Sequence, residues 1–172
     1  MLLYHFTSRW VLPRILREGI LRGDVPVSAT TGYNAPWLTT EPQWERQTLW
    51  AKDSSIDKRE VRLTVEVDAD DPKLKAWAQL IQEDRLAKKW ATLLTAQGWP
   101  ETVLTDWYVY LGGLSPERIK KIELREGLAP LQVESLTPKL TFISNQTSGI
   151  IPAKSRWVTM KRSEYIEQCG NW

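Results

Sequence analysis

Residues 61–67 read VRLTVEV, and this heptapeptide decides how the rest of the chain is read. Val61, Leu63, Val65 and Val67 alternate with Arg62, Thr64 and Glu66. A period of two puts the apolar side chains on one face of a strand and the polar ones on the other, so the segment predicts a half-buried strand in a sheet that rests one face on a core. The turn-forming residues from Asp68 to Pro72 end it. Downstream, Leu74, Trp77, Leu80, Ile81, Trp90 and Leu94 follow helical spacing. They predict one long helix over 74–94, or two with a break near Asp84. Residues 107–111 are apolar and strand-like, Gly112 and Gly113 form a turn, Ser115 caps a short helix starting at Pro116, and 122–125 is a further strand.

Upstream of the heptapeptide, residues 2–5 read as a short strand and 12–18 as a helix, with Pro13 suited to its first turn and Gly19 to its stop. Residues 20–22 resume extended structure. The Ser, Thr, Gly, Asn and Pro-rich stretch 24–36 reads as a long loop, followed by a short strand at 37–39 and a helix over 42–50. Near the C-terminus, 140–143 and 157–160 are strand-like and 164–169 suggests a small helix. Helices alternating with strands predict an α+β fold, its sheet mixed but largely antiparallel, with the helices inserted between strands. Composition shifts near residue 126, which divides the chain into a core over 1–125 and a basic C-terminal extension over 126–172 packed on the same domain.

A chain of 172 residues with 42% hydrophobic and 26% charged content is long enough for one buried core, which argues against disorder, collagen and solenoid repeats. No apolar run reaches the roughly 18 residues needed to cross a bilayer, and residues 1–10 lack the basic and apolar regions of a signal peptide. The expectation is a soluble, cytoplasmic protein with no membrane partner. One cysteine, Cys169, and one histidine, His5, exclude a disulfide framework and an ordinary zinc site, so no metal is expected. The formal charge of +2 gives no strong overall field. Residues 127–162 nevertheless carry Lys139, Lys154, Arg156, Lys161 and Arg162 against Glu134 alone. Lys154, Arg156 and Trp157 thus form a candidate single-stranded nucleic-acid contact, in which cations meet phosphates and an indole stacks on a base. The same pattern also fits an inward-packed tryptophan beside solvated charges. Ten tryptophans against two phenylalanines mean that large rings carrying a polar N–H build much of the core and part of a binding surface.

Signatures of a nucleophile elbow, a phosphate-binding P-loop and a dinucleotide-binding G-x-G-x-x-G are absent. Cys169 sits in an amphipathic terminal segment unsuited to nucleophilic work. Among the carboxylates Glu66, Asp68, Asp70, Asp71 and Asp106, the three from 68 to 71 read as turn formers. His5 and Thr7 fall on one face of an extended strand, where both can hydrogen-bond to a polar ligand, although a lone histidine in a strand serves equally well as a structural residue. Thr39 and Thr40, after the polar stretch, would line the mouth of a cleft.

Four segments together carry a resemblance: LYHFTS at 3–8, LPRILREGIL at 12–21, WLTTEP at 37–42 and DWYVYLGGLSPERIKKI at 106–122. In this order they resemble ADP-ribosyltransferase-fold proteins, especially small bacterial and phage-type relatives of the DNA-targeting DarT toxins and, more distantly, the RNA 2′-phosphotransferases. The resemblance spans roughly residues 2–125. It implies that His5 binds the ribose of NAD with help from Thr7, that Trp37 and Thr39 form a second wall with the indole stacking on nicotinamide, and that Tyr108 joins the cofactor contacts. The family's glutamate at the start of the late strand has no equivalent here, and Asp106 is the nearest carboxylate. It would serve as the catalytic anion beside His5, since cleavage of the nicotinamide bond builds positive charge that a nearby carboxylate stabilises. The expected function is NAD-dependent ADP-ribosyl transfer to a nucleic acid or protein acceptor, of a toxin or phage-defence kind. The alternatives are a catalytically inactive nucleotide- or nucleic-acid-binding module and a protein-interaction domain with a tryptophan surface. A glutamate-like placement of Asp106 favours transfer, whereas a cleft blocked by Trp37 or Trp107 favours the other two.

Overall fold

A computed structural model of the chain describes residues 1–21, 23–26, 32–43, 57–83, 88, 91–92, 105–126 and 157–160. The alternating heptapeptide forms strand β5, Val61–Glu66, as expected. It lies between β1, Leu2–Thr7, and β8, Ile119–Arg125. Adding β4 (Trp37–Thr39), β6 (Leu74–Ala76), β7 (Trp107–Tyr110) and β9 (Trp157–Met160) gives a seven-stranded sheet in the order β6-β7-β4-β1-β5-β8-β9. Every neighbouring pair in it is antiparallel. The fold is therefore α+β.

On one face Leu3, Leu38, Val61, Leu63, Val65 and Ile122 form a single apolar cluster with Leu12, Ile15 and Leu16 of helix α1, Leu12–Glu18. Pro13 sits in the first turn of α1 and Gly19 closes it with φ +92°, a backbone angle that favours glycine. Complete burial of a residue such as Leu63 removes it from water at a gain of roughly 1.5–3 kcal/mol. On the other face, towards the β6 edge, Trp37, Trp107 and Val109 pack with Trp77 and Leu80 of helix α2, Trp77–Glu83. Towards the β9 edge that face is polar but closed. Arg62 and Glu123 stand opposite each other in the β5–β8 register and form a 2.9 Å ion pair, to which Lys121 adds a second at 2.8 Å. The Arg62 guanidinium lies 4.6 Å from the centre of the Trp157 ring and 5.4 Å from that of Tyr4.

Four local expectations need correction. The stretch 24–36 is not one loop: β2, Asp24–Pro26, and β3, Gly32–Asn34, pair as a separate two-stranded sheet. Strands of three residues offer no apolar alternation to read, and proline is acceptable on an edge strand, which each strand of a two-stranded sheet is. The helix does not begin at Leu74. Residues 74–76 run as β6 against β7, and helix starts only at Trp77, because Asp71 accepts bonds that form a turn and aim the chain along β7. Two apolar residues three apart fit a strand leading into a helix as well as they fit a helix. After Ser115 the chain makes a 3-10 turn, Pro116–Arg118, with no side-chain cap from Ser115, and β8 begins three residues earlier than 122. The first strand runs on to Thr7 rather than stopping at His5.

β9, from the segment read as an extension, pairs with β8 and forms the sheet edge, so the sheet continues beyond residue 125. The helix expected at 42–50 falls almost wholly outside the described residues. The break near Asp84, the strand at 140–143, the helix at 164–169, Lys154 and Arg156 also lie outside them. Among the described residues no helix is long and apolar enough to cross a membrane.

Candidate functional site

The site begins with an interruption in the sheet. β1 follows β5 along its whole length, from Leu2 opposite Glu66 to Thr7 opposite Val61. On its other side β1 matches β4 at one pair only, Tyr4 opposite Thr39. Beyond that pair the ladder stops and a side chain bridges the gap: His5 Nδ1 lies 2.9 Å from the Trp37 carbonyl oxygen. A cleft of about 480 Å³ opens here, within the range of small-molecule sites.

Four stretches wall it. His5 and Thr7 line it from β1, and Trp37, Thr39 and Trp107 from β4 and β7. Helix α1 contributes Val11, Arg14, Ile15 and Glu18, the i, i+3, i+4, i+7 stripe of one helical face. Lys58 and Arg59 complete the rim from the turn before β5. That turn is tied down on both sides: Asp57 pairs with Arg59 at 2.9 Å and with Arg125 at 3.0 Å, and Glu60 pairs with Arg9 at 3.3 Å. Burial works to raise the Asp57 carboxyl pKa, but the hydrogen bonds and charge of Arg59, with the charge of Arg125, win and hold it below 3.8. The wall between α1 and β2 is pinned by close backbone approach. A Cβ on Gly19 would meet the Leu114 carbonyl oxygen at 2.1 Å, and one on Gly23 would meet that of Ala35 at 2.2 Å.

The chemistry of His5 follows from its partner. A carbonyl oxygen only accepts, so Nδ1 carries the hydrogen. Burial pushes the imidazole pKa below 6.5; the bond to Trp37 opposes this and the charge of Lys58 adds to it. At neutral pH the ring is therefore uncharged, and Nε2 is an acceptor without a partner among the described residues, suited to a ligand hydroxyl. The Thr7 hydroxyl, on the same face, also has no hydrogen bond among the described residues, whereas Thr39 Oγ1 already accepts from Glu41 N at 3.0 Å. Arg14 and Lys58 are exposed and form no ion pair among the described residues. Trp37 is held edge-on by Trp77 and Trp107, with ring centres 4.8 and 5.6 Å away, so its indole is fixed in orientation at the cleft wall.

Of the residues singled out in the sequence, His5, Thr7, Trp37 and Thr39 are brought together in one cleft, and neither Trp37 nor Trp107 closes it. Asp106 and Tyr108 are not among its lining residues. Asp106 precedes β7, whose first residue, Trp107, reaches the cleft. Tyr108 stands opposite Leu38 and packs against the apolar cluster, and Asp106 accepts from Thr40 Oγ1 at 3.4 Å. Trp157 is half-buried, lies 6.2 Å from Phe6, between ring centres, and carries Arg62 over its ring. Sequence reasoning missed Arg14, Glu18 and Lys58. The stripe on α1 was readable from spacing alone, but nothing in the sequence showed that this face looks into a gap in the sheet. No protein-family model, no curated protein and no solved structure matches the chain.

Proposed function

We propose that the chain is an ADP-ribosyltransferase-like protein that takes NAD, or a closely related nucleotide, in the cleft between β1 and β4 and transfers its ADP-ribosyl group to a nucleic acid or a protein. The observation that carries this reading is the interruption of the sheet at Tyr4 and Thr39, bridged by a neutral histidine whose second nitrogen is an acceptor. The cleft's donor and acceptor set fits such a ligand part by part. His5 Nε2 and the Thr7 hydroxyl would hold ribose hydroxyls. Arg14 and Lys58 would meet the pyrophosphate, for which cations without a competing carboxylate are suited. Trp37 and Trp107 would pack on a planar base. Bound NAD would supply an activated glycosidic bond; the residues named here would hold and orient it.

A second reading, a module that binds a nucleotide without transferring it, is favoured by the place of Asp106 outside the cleft lining. Incubation with NAD, followed by mass spectrometry for free nicotinamide and for modified protein or oligonucleotide, separates the two. Release of nicotinamide supports transfer. Binding of NAD with none released supports the module, and absence of binding overturns both.

A further inference from the structure

Tyr4, His5, Phe6 and Thr7 are consecutive on β1, and all four line the cleft. Successive side chains of a strand point to opposite faces of its sheet, so a cleft lined by four in a row reaches both faces. The register assigns each residue to its face. His5 and Thr7 stand opposite Leu63 and Val61, on the face that α1 covers. Tyr4 and Phe6 stand opposite Thr64 and Arg62, on the other face. Thr39, opposite both Tyr4 and Trp107, shares that second face with them, as does Trp37 two residues earlier on β4. The cleft is therefore a slot through the sheet, opened where β1 and β4 stop pairing. Its two ends differ in chemistry. The α1 end carries His5 Nε2, the Thr7 hydroxyl and the Arg14 guanidinium, and the charge of Lys58 acts on His5. The far end is walled by the rings of Tyr4, Phe6, Trp37 and Trp107 with Thr39, none of them charged.

We propose that a nucleotide lies through the sheet, with its phosphates on the α1 face, its ribose in the gap beside His5 and Thr7, and its base on the far face in a subsite walled by Tyr4, Phe6, Trp37 and Trp107; this rests on the reading of the cleft as a nucleotide site. Shape favours this occupant, because a flat ring is what passes edge-on between two strand edges. Once through, the base exchanges water for aromatic faces. The phosphates stay behind, since burying a charge without a partner is costly and the cation nearest the far end is already taken. That cation, Arg62, pairs with Glu123 at 2.9 Å. It also holds the subsite from behind: its guanidinium lies 5.4 Å from the centre of the Tyr4 ring, and it donates to the Pro42 carbonyl oxygen in the chain leaving β4. Trp157 backs Phe6 at 6.2 Å between ring centres. Tyr4 and Phe6 thus become base-contacting residues, a role that a ligand confined to the α1 face would not give them.

The test records nuclear Overhauser contacts between bound NAD and protein isotopically labelled only in phenylalanine and threonine. Phe6→Tyr and Thr7→Ser, each removing one labelled group, identify the signals of the Phe6 ring and the Thr7 methyl, which sit on opposite faces of the sheet. The Phe6 ring is expected to contact base protons and the Thr7 methyl to contact ribose protons, with no contact from Thr7 to that base. In calorimetry, Phe6→Leu should bind NAD about fivefold more weakly or worse, in line with loss of a ring on which a base stacks, and its thermal unfolding shows whether the sheet is kept. NAD that binds and touches Thr7 but not Phe6 lies on the α1 face alone; this overturns the passage through the sheet and leaves the nucleotide reading of the cleft intact. Unchanged affinity in a folded Phe6→Leu overturns the ring-walled subsite in the same way. Should Phe6→Leu fail to fold, the contacts in the wild type decide. A wild type that does not bind NAD overturns the reading of the cleft and this proposal with it.

Discussion

The two sides of strand β1 are built differently. Against β5 it is sealed, with backbone pairing from Leu2 to Thr7 and Leu3, Val61, Leu63 and Val65 fully buried beneath α1. Against β4 one pair forms and the remaining contact is a histidine side chain reaching a carbonyl oxygen. One strand thus anchors the core with one edge and opens a cleft with the other. The sealed side gives the open side its rigidity, because His5 and Thr7 cannot move without disturbing the ladder to β5.

The difference can be broken from either side. The largest expected effect is on the sealed side: Leu63→Ala should lower stability by about 2–5 kcal/mol, the cost of lost burial plus a cavity, measured by urea unfolding. It should do so with the cleft residues unchanged. Next comes Gly19→Ala, which places a Cβ against the Leu114 carbonyl at a positive φ. A loss of about 1–3 kcal/mol is expected, again by urea unfolding, together with weakened NAD binding as the wall between α1 and β2 shifts. Replacing His5 by alanine sharpens the comparison in the opposite sense. NAD affinity should fall by about 1–3 kcal/mol on loss of a buried hydrogen-bonding partner, read by calorimetry, while stability changes less than in Leu63→Ala.

The smallest effect is in pH dependence. The folded chain holds His5 below 6.5, so just under that pH the unfolded chain binds more protons. The contribution of His5 to stability is therefore complete above pH 6.5 and is lost as pH falls through the interval between 6.5 and its folded value. His5→Gln should flatten the slope of melting temperature against pH in that window. Asp57, held below 3.8, acts only at lower pH and leaves this window clear.

How much of this was legible in the sequence depended on the kind of signal. β5 was plain because four apolar residues at period two admit one reading, and α1 because Pro13 and Gly19 bracket it. His5, Thr7, Trp37 and Thr39 could be chosen because they are polar or aromatic groups on short strands flanking a polar stretch. β6 was hidden, since an edge strand of three residues takes its identity from pairing with β7 rather than from its own pattern. The place of Asp106 was equally hidden, because its bond from Thr40 depends on how β4 and β7 meet. Glu18 and Lys58 are forty positions apart by number and meet at one cleft only through tertiary structure.

The most direct test of the central claim is a titration of the isotopically labelled protein with NAD, followed by amide chemical shifts. If β1 binds its ligand with its open edge, the amides of His5, Thr7, Trp37 and Thr39 should shift in a saturable way while those of Val61, Leu63 and Val65 move little. Shifts spread over β5 and β8 with none at the β1–β4 gap, or no saturable change up to millimolar NAD, would contradict it.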